Sequence, residues 1–160
     1  MPNEESLGPL LERLLEPTRR YAIRRASPEE AEEAVSETML FLVQHPERIP
    51  NGGERSWAIG VCRKMLANLR RKRTRREGLI GRFIRDLIPP SPPPLVRRDE
   101  ELASALATLP ASDQEALLLA VWDELPPREI AKVLGISANA AAIRVHRAKR
   151  RLRERLEPQS

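Results

Sequence analysis

Apolar positions fall at helical spacing in a series of stretches set off by proline and glycine. Leu10 to Arg25 predicts a first helix, interrupted or kinked at Pro17. Ser27-Pro28-Glu29-Glu30 predicts a helix start. Ser27 caps, Pro28 suits the first turn and Glu30 completes a capping box. Ala31, Ala34, Val35, Thr38 and Leu42 then mark one face. Pro46, Pro50, Asn51, Gly52 and Gly53 end that helix and form a loop. A third helix runs from about Glu54 to Arg73, with Trp57, Val61, Met65 (or Cys62) and Leu69 as its apolar positions. Leu79, Ile80, Phe83, Ile84, Leu87 and Ile88 recur at helical spacing in a short amphipathic piece, suited to either half of the chain or to a partner. Pro89 to Pro94 reads PPSPPP, a stiff extended spacer. Beyond it, Arg98 to Thr108 predicts a helix stopped by Leu109-Pro110. Ser112-Asp113-Gln114-Glu115 reads as a second capping box, opening a helix to about Asp123. Pro126-Pro127 opens the next, ending near Leu134, and a last helix runs to about Leu156.

These elements imply an all-α fold: two small helical domains, 10–76 and 98–157, joined by a Pro-rich linker, 77–97. The C-terminal one has the parts of a helix-turn-helix. Ile130 and Leu134 share a face, and small Ala131 lets two helices approach. Gly135 supplies a left-handed turn, Ile136 plugs the junction and Ser137 caps. Ala141, Val145, Ala148 and Leu152 recur at steps of four, three and four, a stripe for burial. The opposite face carries Asn139, Ala142, Ile143, His146 and Arg147, placed for the major groove. Arg144, Lys149, Arg150 and Arg151 are placed for phosphates. A plain helical hairpin accounts for the stripe, but does not require this turn or the basic tail.

Charge sharpens this reading. The 160 residues carry a net charge of +5, unevenly spread. Arg63, Lys64 and the run Arg70 to Arg76 make one basic block, and Arg144 to Arg155 another. Acid gathers at Glu29, Glu30, Glu32, Glu33 and Glu37. Two one-sign blocks suggest a polyanion, and the acidic face a separate protein partner, although a solvated helix surface would read the same. Trp57 fits either core packing or stacking on an unpaired base. One cysteine, Cys62, excludes an internal disulfide, and with only His45 and His146 a Cys/His zinc cluster cannot be assembled. Cys62 reads as a core residue or a redox switch. The polar start, Met1 to Ser6, is unlike a signal peptide, and the longest apolar run, Ala116 to Trp122, is too short to span a bilayer. A cytoplasmic protein without cofactor or membrane contact is expected. Nothing in the chain pairs a nucleophile with a base or cradles a phosphate, which argues against an enzyme.

The C-terminal segment resembles region 4 of extracytoplasmic-function sigma factors: Leu109-Pro110, an acidic amphipathic helix from Glu115 to Trp122, then a helix-turn-helix with His146-Arg147-Ala148-Lys149. The N-terminal part resembles region 2 of the same family, in Glu30 to Thr38 and in the tryptophan-led stretch Trp57 to Asn68. The resemblance covers most of residues 10–76 and 98–156. It implies a promoter-specificity subunit. Core RNA polymerase would be met through Glu33, Ser36, Glu37, Met39, Leu40 and Phe41. The −10 element would be engaged by Asn51, Arg55, Trp57, Arg63, Lys64, Asn68, Arg70 and Arg71, with the loop His45 to Arg55 capturing a flipped base. The −35 element would be read by the last helix. An anti-sigma protein is a further implied partner. The chain departs from the family pattern at Ser36, commonly glutamine, at Lys64, often asparagine, and at Ala140 to Ala142, usually threonine, valine and a basic residue. The alternative is a free-standing helix-turn-helix regulator acting without polymerase; the basic helix from Trp57 to Arg76 weighs against it, since a sensing domain has no need of one.

Overall fold

Residues 4–87 and 100–157 are described in a computed structural model, and all the regular elements among them are helices. The chain divides into two compact units, residues 1–91 and 92–160. The proposed spacer Pro89 to Pro94, Ile88 and the expected helix start at Arg98 lie outside the described residues.

The first unit packs three helices on one another: α1 (Glu4–Ile23), α2 (Pro28–Gln44) and α3 (Glu54–Leu87). α1 passes through Pro9 and Pro17 without ending. An interior proline costs about 3 kcal/mol in a helix. Burial of Leu14, Thr18, Tyr21 and Ala22 on the inner face offsets it. Of the interruption or kink expected at Pro17, the interruption is overridden by packing. Ser27 caps α2 as expected: its side chain accepts from the Glu30 amide. Ala31, Ala34, Val35, Thr38 and Leu42 are all buried, and the Thr38 hydroxyl donates to the Ala34 carbonyl at 2.6 Å. A 3₁₀ turn, Pro46–Arg48, and the glycines Gly52 and Gly53 (φ 92° and 71°) lead into α3. The core gathers Leu14, Leu42, Ile49 and Ala58, with Leu10, Met39, Phe41 and Trp57 packed around them. Cys62 is fully buried, and burial pushes its thiol up to about 11 against a Thr38 hydrogen bond and the charge of Arg25. That places it in the core, where a thiol is little ionised and poorly reactive.

α3 outruns its expected end at Arg73. Its backbone continues to Leu87, broken only at Gly78 (φ 66°, ψ −168°), a conformation open essentially to glycine alone. The amphipathic piece predicted at 79–88 is thus helical as far as Leu87 and set off from the basic helix by one glycine.

The second unit has α4 (Glu100–Ala107), α5 (Ala111–Val121), α6 (Pro127–Leu134) and α7 (Ala138–Leu156). α4, α5 and α6 all pack on α7. Leu106, Leu109, Leu117 and Ala148 form the core, flanked by Leu102, Trp122 and Leu152. One expectation fails here. Ser112 does not cap α5. The helix begins at Ala111 behind Pro110, with no side-chain cap, and Asp113 is turned inward instead.

Gly135 ends α6 in the left-handed region (φ 67°, ψ 37°). Any side chain there is strained, at roughly 1–2 kcal/mol. Gly135→Ala is expected to speed hydrogen exchange across α6 and α7 by about 5- to 30-fold and to leave α1 to α3 unchanged; uniform acceleration, or none, would show the turn conformation to be unimportant.

Candidate nucleic-acid interface

The turn that aims α7 is built from local chemistry. Gly135 lets the amide of Ile136 bond the Ala131 carbonyl at 3.1 Å, closing α6. Ser137 then opens α7, its hydroxyl oxygen accepting from the Ala140 amide at 3.0 Å. Ile130, Ala131 and Val133 face the core. Ile136 is half-buried at the junction, as are Val145 and Leu152 on the inner stripe, while Ala141 and Ala148 are fully buried.

One electrostatic cluster fixes how α7 is turned about its axis. Asp113 on α5 has no exposed surface. Arg147 donates to it twice, Nε to Oδ2 at 2.9 Å and Nη2 to Oδ1 at 2.7 Å. Arg151, one helical turn on, donates Nη1 to Oδ2 at 3.2 Å. The Arg147 hydrogen bonds hold the Asp113 carboxyl below its ordinary 3.8 against the opposing pull of burial. The charges of Arg147, Arg151 and Arg144 add to that effect. In return Asp113 drives Arg147 above its already high value. A fork-to-fork pair of this kind specifies direction as well as attraction. Sequence reasoning placed Asp113 inside a capping box opened by Ser112 and missed this role. The readable signal was a carboxylate in an apolar helix facing arginines four residues apart.

The remaining residues of α7 divide by exposure. Asn139, Ile143, His146, Lys149 and Arg150 are exposed, and Ala142 and Arg144 are half-exposed. Ala142, Ile143, His146, Arg147 and Arg150 line one shallow, open depression on the outer face. Of the residues expected at the −35 element, Arg147 and Arg151 are thus engaged by Asp113, while Ala142, Ile143, His146 and Arg150 line the depression beside Arg147.

In the first unit, Glu33, Ser36 and Leu40 follow one another along the outside of α2, with Glu37 half-buried beside them. Leu40 is 56% exposed and Val43, three residues on, 49%. Val43 was not foreseen in this stripe. Met39 and Phe41 lie elsewhere, packed against the core, with Phe41 6.2 Å from Trp57 between ring centres. Trp57 is half-buried there, so core packing takes part of it. On the loop and α3, Asn51, Arg55, Lys64, Asn68, Arg70 and Arg71 are exposed and Arg63 half-buried. Glu54 accepts from the Gly52 amide at 2.8 Å and shapes the loop next to Asn51. Several cations here also hold the fold. Arg70 Nη2 donates to the Arg25 carbonyl at 2.7 Å, Arg71 Nη2 to Asn68 Oδ1 at 2.8 Å, and Arg73 pairs with Glu30.

Fold and surface define a helix-turn-helix protein. Residues 99–152 match the family model for sigma-70, region 4. Over 145 residues, 86% of this chain and 81% of the relative, the chain is 32% identical to the ECF RNA polymerase sigma factor SigL of Mycobacterium tuberculosis. Two solved structures share the fold. The sigma factor RpoE of Bartonella quintana, solved in complex with the anti-sigma factor NepR, is 22% identical with a TM-score of 0.66, covering 96% of this chain and 98% of that one. CnrH, solved with the cytosolic domain of CnrY, is 22% identical with a TM-score of 0.58, covering 99% and 92%. The chain belongs to the ECF RNA polymerase sigma factors, proteins of transcription initiation.

Because the folded carboxyl of Asp113 titrates below 3.8, its contribution to stability is complete above that value and is lost as the pH falls through the lowered one. Asp113→Asn is expected to cost about 2 kcal/mol at neutral pH. The gap from wild type should stay constant down to about pH 4 and close below it. Urea unfolding followed at several pH values measures both. A gap that is absent at neutral pH, or that widens in acid, would contradict the ion cluster.

Proposed function

We propose that the chain joins core RNA polymerase through the outer face of α2 and directs it to promoters, with the first unit at the −10 element and the second at the −35 element. In this reading the first unit, with residues 10–76 at its centre, acts as a region 2-like domain, and residues 98–157 as region 4. Residues 77–97 link them. The observation that carries it is the stripe Glu33, Ser36, Leu40 and Val43 on α2: two large apolar side chains left about half exposed beside carboxylates. A free-standing DNA-binding protein has no use for such a face, whereas a basic, partly apolar partner surface does. Asn51, Arg55, Lys64 and Asn68 would then face the opened −10 strands. Arg63, Arg70 and Arg71 would follow the backbone, making binding salt-sensitive. Trp57, held against Phe41, offers at most its exposed edge to a base. Asn139, Ala142, Ile143 and His146 would meet base edges at −35, and Arg144, Lys149 and Arg150 phosphates. Arg147 and Arg151 would act mainly by holding α7 on α5. An anti-sigma protein is a further partner in this reading, supported by the NepR complex of the similarly folded RpoE. Work of this kind places the protein in the cytoplasm; among the described residues no helix is long and apolar enough to cross a membrane.

In vitro transcription with core polymerase on a promoter library is expected to yield transcripts that depend on this chain and to reveal the recognised motif. Leu40→Ser combined with Val43→Ser should cut both co-elution with the core enzyme and transcript yield roughly tenfold or more, with helical content unchanged. Wild-type co-elution and transcription by the double variant would remove the α2 stripe as the polymerase contact, whereas tight binding to a palindromic duplex without polymerase and no chain-dependent transcript would favour the free-standing regulator.

A further inference from the structure

Ile143 is out of place by ordinary surface chemistry. It is 50% exposed, β-branched, and sits in the first half of α7, with cations following it along the helix and none before it there. The Asp113 cluster and the buried Ala141 and Ala148 set the rotation of α7, so the exposure of Ile143 follows from packing that is well determined. Its neighbours along the outer face are Ala142, His146 and Arg150, and together they line an open depression with Arg147 at its side. Ala142 is short, so a partner group can come down onto Ile143. Arg147 bonds Asp113 through Nε and Nη2, which holds it at the side of the depression.

The occupant must be apolar where it meets Ile143 and anionic just beyond it, because Arg144, Lys149 and Arg150 follow Ile143 on the same helix. An apolar protein surface fails the second condition. Duplex DNA meets both: its phosphates satisfy the cations, and the thymine C5-methyl is the one apolar group in the major-groove code. The N-terminal half of a recognition helix is also the part that reaches base edges.

We propose that Ile143, with Ala142, reads the C5-methyl of one thymine in the −35 element, making it a specificity-determining residue of this chain. The assignment rests on the placement of α7 at −35. It says that discrimination at that position comes from apolar contact, without a hydrogen bond from either side chain.

The test uses the holoenzyme, full chain with core polymerase, on a promoter recovered from the transcription library. Each −35 thymidine is replaced singly by deoxyuridine, which removes the methyl and keeps every hydrogen-bonding group. One replacement should weaken promoter binding about fourfold, the worth of one buried methyl, and the others little. Ile143→Ala should lose a comparable factor on the thymidine promoter and show no remaining thymidine preference at that position. Ile143→Val and His146→Ala should keep the preference. If no −35 thymidine shows a preference while the holoenzyme still depends on its −35 element, the assignment to Ile143 is overturned and the −35 placement stands. A preference that persists undiminished in Ile143→Ala also overturns it. Binding indifferent to the whole −35 sequence would overturn the assignment and the placement together.

Discussion

A carboxylate with no exposed surface, met by two arginines from a neighbouring helix, organises the second unit. Asp113 accepts three hydrogen bonds at 2.7 to 3.2 Å, so its charge is compensated where water cannot reach it. Taking one partner away would leave a buried ion uncompensated, which is far more costly than the pair is stabilising. Arg147 and Arg151 lie one turn apart with Ala148 between them, and Ala148 is fully buried in the core of Leu106, Leu109 and Leu117. Ion cluster and apolar contact therefore agree on a single rotation of α7. With that rotation set, Ile143, His146 and Arg150 face outward.

The first unit solves a related problem with weaker, more exposed links. A long basic helix must lie beside two others without repelling itself off them. Arg70 bonds the carbonyl of Arg25 just past the end of α1, and Arg73 meets Glu30 in the first turn of α2. Both bind α3 to its neighbours near its basic stretch. Exposed pairs of this kind each contribute little, so the apolar core around Leu14, Leu42 and Ala58 supplies most of the cohesion. The electrostatic consequence is that part of the basic block is already engaged, and the charge offered to a polyanion is smaller than the sequence suggests.

Local patterns carried most of the fold. Gly135, Ser137 and the stripe Ala141 to Leu152 each act over a few residues, and their geometry came out as their chemistry demands. The inner face of α2 was equally legible, because burial there follows helical period alone. The misreadings share one cause. Pro17 predicts an interruption or a kink, and burial of Leu14 and Thr18 carries the helix through without interruption. Ser112 to Glu115 matches a capping box, yet Asp113 answers arginines 34 and 38 residues away. Exposure of Val43 depends on which faces of α1 and α3 cover α2. In each case a tertiary partner outweighs the local signal. The same holds for site residues: nothing within a few positions of Arg147 shows that its guanidinium bonds Asp113.

The central claim is that Asp113 and Arg147 act as one unit that aims α7, and a double-mutant cycle tests it most directly. Asp113→Ala, Arg147→Ala and the double variant would be compared in promoter-dependent transcription by the holoenzyme. One shared loss, no larger in the double variant than in either single one, is the predicted result. Independent losses that multiply, with Arg147→Ala alone by far the more damaging, would show Arg147 touching DNA in its own right and would contradict the account.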